Sequence, residues 1–119
     1  MSNAESKDSR DIKERSPFFD LYDLRVEVIA PPGTHLLCGA KPGDWFELRG
    51  ELLYMPPDQG FSIYSLAALL PLLPAKQRQL PAADWLERDC LVACPDPDER
   101  LVMRITRTGR TTLRTSDLT

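Results

Sequence analysis

The chain has little of what most enzyme chemistry is built from. It holds one histidine, His35, and three cysteines, Cys38, Cys90 and Cys94. It has no G-x-G-x-x-G, no P-loop, no H-E-x-x-H and no G-x-S-x-G, which disfavours nucleotide-dependent and common hydrolase chemistry. It also lacks a long apolar run. The longest is the ten residues after Ser65 in "SLAALLPLLPA" (65–75), interrupted by Pro71 and Pro74 and followed at once by Lys76, Gln77 and Arg78. A spanning helix needs about 20 apolar residues, so no membrane segment is expected. The N-terminus is polar rather than a basic stretch followed by an apolar run. No export signal is therefore expected, and the default is a cytoplasmic protein with reduced thiols. Aromatic residues make up 8% and none is interleaved with the C-terminal arginines. With a net charge of -3, nucleic acid is not the expected partner.

What is present suits a small folded domain. The 119 residues are 42% hydrophobic and 28% charged, ordinary for one globular unit. Met1–Ala4 reads as the remnant of a tag. Residues 1–16, charged and nearly free of large apolar groups, cannot offset the entropy of ordering and are expected to form a tail. Residues 109–119 read as a second tail, flexible and basic, with at most a little strand at its start. The folded part is then 17–108.

Within it, "LRVEVIA" (24–30), "WFELR" (45–49) and "LVMRITR" (101–107) alternate in the manner of half-buried strands. "PPG" (31–33) and "KPGD" (41–44) read as turns, and Gly50-Glu51 fits a two-residue hairpin turn leading into "LLYM" (52–55). After "PPDQG", Ser62 or Ser65 can cap a helix. The apolar run predicts two short helical pieces, 63–70 and 71–79, broken by proline, with Leu66–Leu70 buried all round and Lys76, Gln77, Arg78 and Gln79 in water. "AADWLERD" (82–89) predicts a third helix anchored by Trp85 and Leu86, and "CLVAC" (90–94) a short strand. The expected class is α+β: a small curved antiparallel sheet packed on a Leu-rich, Pro-interrupted helical segment.

Several of these pieces recur together. Cys38 before "KPGDWFELRG", then "GFSIYSLAALLPLLPA", "CPDP" (94–97) and "LVMRITR" resemble a family of small bacterial and archaeal proteins of unassigned function. Its members carry a Cys-containing loop, a G-D-x-F strand, a G-F-C segment opening an apolar helix, a C-P-D-P turn and a closing V-x-F/M-x-I-x-R strand. The resemblance covers roughly residues 22–107 and implies a shared fold with little chemistry. This chain has Ser62 where the family often has cysteine. If the family's cysteines act together, this member has lost one.

The candidate sites are few. His35, Cys38, Cys90 and Cys94 are possible zinc or iron ligands. If 90–94 is a strand, its two sulfurs lie on one face but about 13 Å apart, whereas a helical segment would bring the Cα atoms to about 6 Å. No cofactor is the baseline expectation. Cys38, with His35 three residues before and Lys41 three after, could be an activated thiol with histidine as base. The plain alternative is a loop thiol beside a solvent-facing histidine. Arg100, Arg104, Arg107, Arg110 and Arg114 give residues 100–119 a net +4 against -7 for residues 1–99. They could hold an anion or an acidic partner, or simply solvate a strand and discourage edge pairing. Trp45, Phe61 and Tyr64 could supply an apolar contact. The expected function is a non-catalytic accessory module that binds a partner protein or small ligand, with a homodimer as one form it could take. The alternative is a thiol- or metal-dependent enzyme or redox protein centred on Cys38 and His35.

Overall fold

The computed structural model describes residues 17–31, 33, 39–88, 91–95 and 101–118. Strands β1 (Phe18–Ile29), β2 (Trp45–Arg49), β3 (Leu52–Tyr54), β4 (Leu91–Ala93) and β5 (Val102–Arg114) form one antiparallel sheet. Their order across the sheet is β3-β2-β1-β5-β4. Three short helices lie between β3 and β4 in the chain: α1 (Ile63–Leu69), α2 (Leu73–Lys76) and α3 (Trp85–Arg88). The fold is a small α+β arrangement, a curved sheet with the described helices on one face.

Alternation decides which face is covered. Leu24, Val26 and Val28 of β1 point inward with Phe46 of β2 and Met103 and Ile105 of β5. Leu69 of α1 and Leu73 of α2 close this core from above. Phe46 is fully buried and meets the Phe61 ring edge-on at 4.9 Å. Burying a side chain of that size contributes about 1.5–3 kcal/mol. The β2–β3 hairpin turns at Gly50, whose φ of +59° suits the first position of a two-residue turn. Ser62 caps α1 by accepting the Ser65 amide at 3.4 Å, so the hydroxyl at this position has a plain structural task.

The structure corrects several expectations. β1 starts at Phe18, six residues before the recognisable alternation, and β5 runs on to Arg114, so residues 109–114 are strand rather than tail. The cause is a bulge. Asp23 faces Gly109 while Leu24 faces Arg107, leaving Thr108 as the extra residue, and the register shifts between Asp23 and Leu24. Below the shift the two strands are tied by Thr111 to Asp23 at 2.5 Å and by Thr112 to Asp20 at 2.6 Å. The Leu66–Leu70 stretch is not buried all round: Leu69 is buried, while Ala67 and Leu70 stand in solvent, as do Ile63 and Tyr64 at the start of α1. Trp85 is exposed and only Leu86 anchors α3.

Lys76 and Gln77 are buried rather than in water. The Lys76 ammonium donates to the carbonyls of Leu86 at 2.6 Å and Glu87 at 3.1 Å, where a short helix ends and its carbonyls need donors. Gln77 donates to the Gly50 carbonyl at 2.7 Å, and its own carbonyl accepts the Tyr22 amide at 2.8 Å. One helical exit thus ties α3, the β2–β3 turn and β1 together.

Candidate functional site: the open face of the sheet

Directly paired residues of an antiparallel sheet share a face, so the register gives the composition of the face that the helices leave open. One row across it is Trp45, Glu27, Arg104 and Leu91, from β2, β1, β5 and β4. A second is Tyr54, Glu47, Arg25 and Thr106. A third is Ile29, Val102 and Ala93. Leu52 stands beside Arg49 at the β3 edge.

Large apolar groups are exposed here: Leu52 at 56%, Leu91 at 49% and Tyr54 at 40%. Trp45 is half-buried under the Arg25 guanidinium, 4.3 Å from the ring centre, and Arg49 stacks on Tyr54 at 4.0 Å. Glu47 lies 3.5 Å from Arg25 and 3.9 Å from Arg49. These stacked cations hold the rings in fixed orientations while leaving their edges available. Among the described residues, neither Glu27 nor Arg104 has an ion-pair partner.

The expected contact residues therefore separate. Trp45 and Arg104 share the open face. Phe61 lies on the other side, half-buried against Phe46, and Tyr64 projects from α1. Sequence reasoning missed Leu52, Tyr54 and Leu91, although Leu52 and Tyr54 are two residues apart on a strand and must share a side.

His35, Cys38 and Cys90 lie outside the described residues, as do Arg100 and residues 1–16. Cys94 is a buried core thiol, and the Ser65 hydroxyl donates to its Sγ at 3.8 Å. Among the described residues no group of three or more His, Cys, Asp or Glu side chains could hold a metal ion, and no helix is long and apolar enough to cross a membrane.

Two hollows lie among the described residues. One, of about 380 Å³, is lined by the 39–44 and 58–62 loops, including Lys41, Asp44 and Asp58. Gln59 secures it by donating to the Trp45 carbonyl at 2.8 Å and accepting the Trp45 amide at 3.2 Å. Asp44 accepts the Lys41 amide at 2.9 Å, a turn contact. The other, of about 160 Å³, lies by Asp20, Tyr22, Gln77 and Arg110.

The most perturbed ionisable group serves the fold. Arg107 donates to both Glu87 oxygens, at 2.5 and 2.9 Å, and to the carbonyls of Lys76 at 3.0 Å and Arg78 at 2.8 Å. Its guanidinium also stacks 4.1 Å over Tyr22. The hydrogen bond from Arg107, helped by the Leu80 amide, holds the Glu87 carboxyl at about 2. Each guanidinium nitrogen of Arg107 meets an acceptor of the protein itself.

No family model matches the chain, and no curated protein or solved structure is significantly similar to it.

Proposed function

We propose that the chain is a non-catalytic module that docks a partner protein on the open face of its sheet. The observation that carries this is the asymmetry of the sheet. Helices cover one face; the other presents Leu52, Tyr54, Trp45 and Leu91 among paired charges. Large apolar groups left exposed on one face of a sheet, here on either side of a charged centre, mark a surface suited to a protein contact. Aromatic rings and arginines are the residues that interfaces favour.

The test is site-specific cross-linking in the native cells. A photoreactive phenylalanine analogue at Thr106 sits in the middle of this face; the same analogue at Ala67, exposed on α1, is the control. The expected result is a discrete protein adduct from position 106, weakened several-fold by Leu91→Glu, and none from position 67. Equal adducts from both positions, or none from position 106, contradict the reading.

A further inference from the structure

We infer that the partner which fits this face is a second copy of the same chain. The inference rests on the open face being a docking surface and names what covers it. Its central row runs Trp45, Glu27, Arg104, Leu91 across β2, β1, β5 and β4. In chemical terms that is apolar, acid, base, apolar, a pattern that complements its own reversal.

A two-fold axis parallel to the strands, passing between β1 and β5, carries each row onto the same row of the second copy. β1 then lies over the partner's β5, and β2 over its β4. Glu27 meets Arg104 twice, and Trp45 meets Leu91 twice. In the adjoining row Ile29 meets Val102, again apolar on apolar. The result is two sheets packed face to face about 10 Å apart with nearly aligned strands, a common sheet-on-sheet arrangement.

Charge supports the pairing. Glu27 and Arg104 have no ion-pair partner among the described residues of their own chain. Together they are neutral, so two copies do not repel at the centre. The two central charges each have their complement opposite, and Arg25 in the adjoining row is paired with Glu47 of its own chain, which meets the need of a desolvated interface. A generic partner would have to supply that same sequence of groups. The chain already has it.

Sedimentation equilibrium of the full chain from micromolar to millimolar concentration tests this. The wild-type chain should be dimeric. Glu27→Arg sets arginine against arginine, and Arg104→Glu sets acid against acid; each should weaken association on the order of a hundredfold. The double exchange Glu27→Arg with Arg104→Glu restores complementarity and should recover most of the affinity, which also shows that the exchanged chain folds. A monomer throughout, or a dimer indifferent to the single exchanges, overturns the inference. A monomeric chain that still cross-links from position 106 to a different protein overturns the dimer and leaves the docking face standing. A monomer with no adduct removes both.

Discussion

The Glu87 carboxylate sits between the Arg107 guanidinium and the Leu80 amide, and both favour its ionised form. Its ordinary value is 4.5 and its folded value about 2, so it favours the folded state fully above the ordinary value. That contribution is lost as pH falls from about 4.5 toward 2. Urea midpoints measured down this range should decline more steeply for the wild-type chain than for Glu87→Gln, which has no such proton to take up; parallel declines would contradict the assignment. The role of Arg107 was partly legible. Leu101, Met103 and Ile105 point inward, and the same alternation carries Arg107 inward with them. Read only as one of five arginines near the C-terminus, it looked like a solvated charge. Its acceptors, the carbonyls of Lys76 and Arg78, are 31 and 29 residues away and leave no local sequence signal. Lys76 and Gln77 were misread for the same reason: what buries them is the carbonyls of other elements.

At the scale of elements, the strands whose side chains alternate without interruption were readable. β2 falls on Trp45–Arg49 as expected, and Met103 and Ile105 face the core. The β1–β5 arm was not. Leu21 and Leu24 are both buried yet three residues apart, with the register shift between Asp23 and Leu24, so burial along β1 does not follow the period of two that marks a strand. The partner of "GRTTLR" is Phe18–Asp23, some 90 residues earlier, and Thr111 and Thr112 become strand residues by pairing with it. Removing residues 109–119 should therefore cost on the order of 2–4 kcal/mol in denaturant unfolding, from lost ladder and carboxylate hydrogen bonds. It should also expose the Leu21 and Asp23 amides to exchange; an unchanged midpoint would show that the segment contributes nothing. The helical run was misjudged in a different way. Ten apolar residues suggested burial on every side, but the sheet offers α1 only one face, which Ser65 and Leu69 fill.

Across the whole molecule, the chain builds its core on one side of the sheet, and the described helices leave the other side uncovered. The α+β class was legible because it follows from strand alternation and the proline-broken run. The site was legible only in its members Trp45 and Arg104. Their neighbours on the face come from three other strands, assembled by register: Glu27, Leu52, Tyr54 and Leu91. The chain's two tryptophans make a direct test possible, since Trp45 lies on the open face and Trp85 stands exposed on α3. Oxidative footprinting should be compared between the native cells and a dilute purified sample. The docking account predicts that Trp45 is labelled several-fold less in cells while Trp85 is labelled equally in both. Equal labelling of Trp45 in the two settings would contradict it.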